Sequence, residues 1–243
     1  MCYHKSLIKA KQDLEQRFDA AFEGTEYLPT YHDNGFDHNS APVLTMDQPR
    51  AFTPMQWGLI PHWTKDKATA CEQRTKTLNA KSETVFELPS FKQPIQSKRC
   101  LVIADGFFEW MEHRGKKFPH YIRLKSGDTM ALAGVYDIWR DHVSGEVFRT
   151  YSVLTCPANT LMARIHNTKQ RMPVILLPSV EHAWLDPQLT QNQIRDLLTP
   201  LHPDLMEGYT ISRNIANANA SQDAAILAPH TYQELSVSQT SLF

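Results

Sequence analysis

The chain has 243 residues, 42% hydrophobic and 21% charged, the balance of a soluble globular protein with enough apolar material for one sizeable core. Its net charge of −1 exerts no global pull toward nucleic acid, and no apolar run approaches the roughly eighteen residues that cross a bilayer. The opening MCYHKSLIKAKQDLEQ lacks the apolar stretch and small-residue cleavage site of a signal peptide, so a cytoplasmic protein with reduced cysteines is expected.

Leu14, Phe18, Ala21 and Phe22 recur at helical spacing and predict an amphipathic helix over 9–23, ending near Gly24. Residues 27–56, rich in Pro, Asn, Asp and His, read as loop with short strands. From Arg99 onward β signals dominate: RCLVIAD, FPHYIRL, TMALAGVYDIW, FRTYSVLT and MPVILL. Turn clusters at Arg114-Gly115, Ser126-Gly127-Asp128 and Val143-Ser144-Gly145 separate them, and gaps this short favour antiparallel neighbours. Cys156-Pro157 opens a short helix running to about Ile165, and Ser179 and Thr190 are caps for helices near 180–185 and 192–198. No repeat, low-complexity tract or linker interrupts the chain. The expected fold class is α+β: a single compact domain over 1–243, with a curved, largely antiparallel sheet and peripheral helices.

Charge is unevenly placed. Residues 179–243 hold two basic side chains against seven acidic ones, whereas residues 92–125 hold eight basic against three acidic. Such a stripe attracts phosphates, or it is a solvated hairpin edge whose lysines discourage aggregation.

Four segments carry candidate chemistry. Removal of Met1 leaves Cys2 as the N-terminal residue, with an amine and a thiol on adjacent carbons. The amine condenses with an aldehyde to an imine, and the thiol then closes a five-membered thiazolidine at high effective molarity. The plainer reading is a small residue tolerated at position two. In IADGFFEW, strand alternation puts Glu109 on the face opposite Phe108 and Trp110; flanking aromatics would desolvate the carboxyl and raise its pKa, as suits a general acid or base. Trp110 offers a flat face for a base; the alternative is a surface glutamate on an edge strand. In LNAKSET, Asn79 can donate or accept hydrogen bonds and Lys81 can reach a phosphate, although the segment also reads as a turn followed by a helix cap. In ARIHNTKQRMPVIL, His166 falls at a helix C-terminus, which favours imidazolium and proton exchange near neutral pH. Cys71, Cys100 and Cys156 stand far apart without a Cys-x-x-Cys pair, and no HExxH, His-x-His or carboxylate cluster is present, so neither metal nor cofactor is expected.

Taken in this order, the four segments resemble the SOS response-associated peptidase (SRAP) family, sensors and shields of abasic sites in single-stranded DNA. The likeness runs from Met-Cys, through Trp57-Gly58-Leu59-Ile60-Pro61 and Trp63, to the segment from Tyr209 to Asn217. It implies a barrel-like antiparallel core and capture of the abasic aldehyde by Cys2 as a thiazolidine DNA–protein crosslink, in the cytoplasm and on DNA. By this resemblance Glu109 handles proton transfer, Asn79 positions the cysteine and the sugar, and His166 is acid–base in crosslinking and its reversal. Trp63, Lys81, Trp110 and Arg171 would contact DNA. The family is also thought to remove its own Met1; an aminopeptidase is the other route. A monomer without membrane attachment is expected. The chain departs from the family at Tyr3-His4, where Gly-Arg is usual, at Lys81, where Arg is usual, and in a longer spacing from His166 to Arg171.

Two other classes of function are open. An N-terminal-nucleophile glutamine amidohydrolase also uses a cysteine exposed by Met1 removal, and Asn34-Gly35 could serve its oxyanion site. A non-covalent single-stranded DNA binding module would make Cys2 incidental.

Overall fold

The computed structural model describes residues 2–24, 26–216 and 223–236; Met1 and Asn217 lie outside them. The first strand, β1 (His4–Leu7), is followed by helix α1 (Lys11–Phe18) and then by β2 (Thr30–Asn34), β3 (Ser40–Thr45) and β4 (Thr53–Trp57). Helix α2 (Lys67–Lys76), the short β5 (Asn79–Lys81) and α3 (Pro94–Ser97) come next. The long strands are β6 (Arg99–Ala104), β7 (Gly106–His113), β8 (Lys116–Leu124), β9 (Met130–Arg140) and β10 (Val147–Pro157). After them come α4 (Thr160–Ile165), β11 (Arg171–Pro173), β12 (Ile175–Leu176), α5 (Pro178–Leu185), α6 (Gln191–Leu197), β13 (Met206–Thr210) and α7 (Gln233–Ser236).

Strands β3, β4, β10, β9 and β6 close on themselves as a barrel. Every pairing in the ring is antiparallel except β10 with β4, so the chain is α+β with a mixed, largely antiparallel barrel. Closure explains why β6 is buried at every position: one face fills the barrel and the other is covered by α5, so its apolar run does not alternate. Arg99, at the start of that run, is fully buried yet satisfied. Its guanidinium donates to the carbonyls of Ile95, Gln96, Trp184 and Asp186, at the C-terminal ends of α3 and α5.

A second antiparallel sheet, ordered β13-β8-β7-β1-β2, carries the N-terminal strand. Asp105 locks β1 in place: its carboxylate accepts from Ile8 N at 2.6 Å, Lys9 N at 2.9 Å and Thr129 Oγ1 at 2.5 Å. Gly106 is required for the same packing, because a Cβ there would stand 2.2 Å from the Tyr121 ring.

Several sequence expectations are corrected. The first helix ends at Phe18, because Asp19 turns left-handed at φ 47° and the Glu15 carboxylate takes the Phe22 amide out of the helical pattern. The short strands expected over residues 27–56 are present, three in number, and two of them enter the barrel. Cys156 and Pro157 end β10; the helix starts at Thr160, capped by Asn159, whose Oδ1 accepts from Met162 N. Helix α5 is entered from Leu177 without a side-chain cap, so Ser179 caps nothing, whereas Thr190 and Gln193 form a reciprocal capping box. Residues 79–81 are a strand, paired in parallel with β10. The basic stripe is dispersed: Lys98 pairs with Asp137, Arg99 is internal, and Arg123 pairs with Glu207 at 2.7 Å.

Candidate active site

Where β1, β7 and the C-terminal end of α4 meet, a cavity of about 420 Å³ is lined by Tyr3, His4, Glu109, Trp110, Lys117, His166 and Lys169, among others. Strand alternation along β7 directs Glu109 away from its aromatic neighbours. It is only 4% exposed, between β1 and β8, not on a surface edge. Burial pushes its carboxyl up to about 8. His166 caps the end of α4, and its Nδ1 lies 3.5 Å from Glu109 Oε1. Burial holds this imidazole below its ordinary value, outweighing the pull of a six-residue helix toward imidazolium.

Cys2 is fully buried at the entrance to β1, and Glu109 and Lys5 are within electrostatic reach of its thiol. Burial, with Glu109 adding to it, pushes the thiol up to about 12, so it rests as a neutral SH. Lys5 points the other way in the strand and forms a buried ion pair with Asp33 at 2.8 Å. That pair lines a larger cavity of about 520 Å³, and none of Cys2, Asn79, Glu109 and His166 lines it.

Asn79 sits on β5 opposite Val153, two residues along β10 from Tyr151. Neither its Oδ1 nor its Nδ2 has a hydrogen-bond partner among the described residues. Tyr151, stacked on Trp57, is within electrostatic reach of the Cys2 thiol, and its buried hydroxyl also lacks a partner there. Sequence reading missed this phenol, because TYSV reads only as a core strand. Buried polar groups without partners are costly and so mark places where a polar ligand would be received.

The structure brings Cys2, Glu109 and His166 together and places the residues expected to contact DNA around them unevenly. Trp110 lines the cavity with its ring against the His4 ring at 4.8 Å. Lys81 is exposed at the end of β5, opposite Thr155. Arg171 is held by both Glu83 oxygens and by the Thr155 carbonyl and hydroxyl. Trp63 is half exposed but does not line the cavity; it follows His62, which binds Asp137 at 2.9 Å.

The departures from the family pattern are accommodated locally. Tyr3 packs its ring on Phe36 at 5.0 Å, and its carbonyl accepts from Gly35 N. His4 Nδ1 meets His32 Nε2 at 2.9 Å. The longer segment after His166 folds back on itself: Lys169 N and Gln170 N both donate to the His166 carbonyl, and Gln170 turns left-handed at φ 49°. Asn167 ties this turn to the Glu112 backbone at 2.8 and 3.0 Å. With Gly35 N already donating to Tyr3, the Asn34-Gly35 pair does not present an open oxyanion site. Among the described residues no group of three or more His, Cys, Asp or Glu could hold a metal, and no helix is long and apolar enough to cross a membrane.

Fold and site together define an α+β barrel protein with a buried acid–base pair beside its N-terminal strand. A profile of the SOS response associated peptidase (SRAP) family matches residues 1–218. The abasic site processing protein YoaM of Bacillus subtilis is 35% identical over 231 residues, covering 93% of this chain and 97% of that protein. The abasic site processing protein HMCES of Gallus gallus is 31% identical over 189 residues, 66% of this chain and 54% of its own length. A solved structure from Bacteroides thetaiotaomicron superposes with a TM-score of 0.90 at 34% identity, covering 95% of this chain and all of that one. The chain belongs to the SRAP family.

Proposed function

We propose that this protein processes abasic sites in single-stranded DNA by capturing them covalently on Cys2 once Met1 has been removed. The observation that carries the reading is the Cys2 thiol within electrostatic reach of a buried carboxyl at about 8, itself 3.5 Å from His166. The relatives are named as abasic site processing proteins, which supports the abasic-site part of this reading.

The chemistry follows from these groups. The Cys2 amine adds to the open-chain aldehyde of the deoxyribose, giving a carbinolamine. Glu109, protonated at neutral pH, donates to the departing hydroxyl, and one water leaves as the imine forms. The thiol then adds across the C=N bond; its proton passes to the imine nitrogen through the Glu109 carboxylate, and the ring closes with no further loss of atoms. His166 serves as the second acid–base group and, in the reverse direction, protonates the ring. Asn79, buried with two unpartnered amide atoms, holds the sugar and the cysteine. Trp110 offers a stacking face, while Lys81, Arg171 and Trp63 contact the strand on either side. The Glu109–His166 pair also activates the water that hydrolyses the Met1–Cys2 bond, making removal of Met1 autocatalytic.

Incubation with an oligonucleotide carrying one abasic site, followed by denaturing electrophoresis and intact-mass measurement, tests this. The expected product is a heat- and denaturant-stable adduct with the summed mass of the Met1-free protein and the oligonucleotide, less one water; Cys2→Ala abolishes it. Equal retention of intact and abasic DNA without any covalent species would overturn the reading in favour of a simple binding module. Release of glutamate and ammonia from glutamine would favour the amidohydrolase.

A further inference from the structure

Glu83 stands outside the cavity and touches none of the groups assigned to chemistry, yet a continuous set of contacts runs from it to His166. Its two carboxylate oxygens grip the Arg171 guanidinium, and Arg171 Nη2 also donates to Thr155 O at 2.7 Å and Thr155 Oγ1 at 3.1 Å. Arg171 is the first residue of β11 and pairs with Pro157, so the grip fixes where that strand begins. The Arg171 carbonyl in turn meets His166 Nδ1 at 2.9 Å. A carbonyl only accepts, so Nδ1 must carry the hydrogen, leaving Nε2 as the acceptor of the neutral ring.

The intervening turn is held by its own backbone hydrogen bonds, and the side-chain clamp acts on the residue that follows it. Residues 167–170 are exposed and Gln170 has a left-handed backbone; Asn167 ties the start of the turn to β7, and Ala158 N donates to the Gln170 carbonyl at 3.0 Å at its end. The guanidinium is held at the cost of leaving Arg171 Nε buried without a partner among the described residues, an arrangement that needs a strong anchor. The bidentate carboxylate supplies it.

From this geometry we infer that Glu83 is a positioning residue: by clamping Arg171 it sets the carbonyl that selects the Nδ1–H tautomer of His166 and fixes Nδ1, the ring atom 3.5 Å from Glu109 Oε1, in place. The hydrogen bonds from Arg171 hold the Glu83 carboxyl down at about 2, so the clamp stays charged throughout the physiological range. The consequence for catalysis rests on the acid–base role proposed for His166; the tautomer does not.

Glu83→Ala and Glu83→Gln separate the two. Nitrogen-15 NMR of the His166 ring in the free protein should show one Nδ1–H tautomer in wild type and both tautomers in Glu83→Ala. At saturating abasic DNA the crosslinking rate should fall by about tenfold, the cost of a misaimed ring. Non-covalent affinity for intact single strands should rise, because a negative charge has been removed, and Glu83→Asp should restore much of the rate. Loss of rate with tighter binding is a signature that general loosening of the fold would not produce. His166 resonances in both variants that superimpose on wild type would overturn the proposal. If wild type forms no crosslink at all, the proposed function fails, while the tautomer measurement still decides the role of Glu83.

Discussion

At the scale of single residues, Glu109 concentrates the physics of the site. Its ordinary value is 4.5 and burial moves it to about 8, so between these pH values the folded protein holds a proton that the unfolded chain has lost. Folding stability therefore falls as pH rises through that window, with a total on the order of 5 kcal/mol. Glu109→Gln, which cannot ionise, should lack this slope; urea titrations at pH 5, 7 and 9 would show wild type losing ground to the variant as pH rises. The same substitution should slow crosslinking by about a hundredfold, within the usual range for a lost acid–base group, and leave non-covalent DNA affinity nearly unchanged. Wild-type crosslinking should decline above about pH 8, as the acid that expels water is lost. A wild-type rate in Glu109→Gln would make the carboxyl purely structural.

At the scale of elements, the site depends on β1 being held at both ends. Its first residues meet the cavity, and its far end is tied by two backbone hydrogen bonds to the Asp105 carboxylate, which Thr129 holds from the other side. Asp105→Ala would strand two backbone N–H groups and the Thr129 hydroxyl, which costs about 2–4 kcal/mol once water partly replaces the lost acceptor. Chemical denaturation would measure that loss, and crosslinking should slow with it because Cys2 sits at the entrance to the same strand. Unchanged stability would mean that the β1 pairings to β2 and β7 suffice. That Asp105 closes a strand, RCLVIAD, was legible in the sequence. Its role as an anchor was not, because Ile8 and Thr129 lie far away in sequence. Helix α4 shows the same limit: its end near Ile165, beside His166, was expected from the sequence, whereas its start depended on β10 running on through Pro157.

At the scale of the whole molecule, a net charge of −1 hides a local arrangement. Lys117 and Lys169 line the cavity, and Lys81 is exposed at the end of β5, while the acid-rich C-terminal part of the chain contributes none of the cavity-lining residues. If about three phosphates are neutralised there, affinity for single strands should fall by on the order of tenfold between 50 and 200 mM salt. A titration by fluorescence anisotropy would check this, and a flat salt response would remove the lysines from the interface.

Read as a sequence, the chain already declares its strands from Arg99 onward, its α+β class, the candidate residues Cys2, Asn79, Glu109 and His166, and the SRAP resemblance. Those features rest on local alternation, turn chemistry and short motifs, each complete within a few neighbouring residues. What the linear chain could not supply is the closure of the barrel by the parallel β4–β10 pair, the strand at Asn79, the unpartnered phenol of Tyr151, and the Glu83–Arg171 clamp behind His166. Only the tertiary structure decides these, because each depends on groups far apart in sequence and on burial, which turns an ordinary glutamate into an acid that holds its proton at neutral pH.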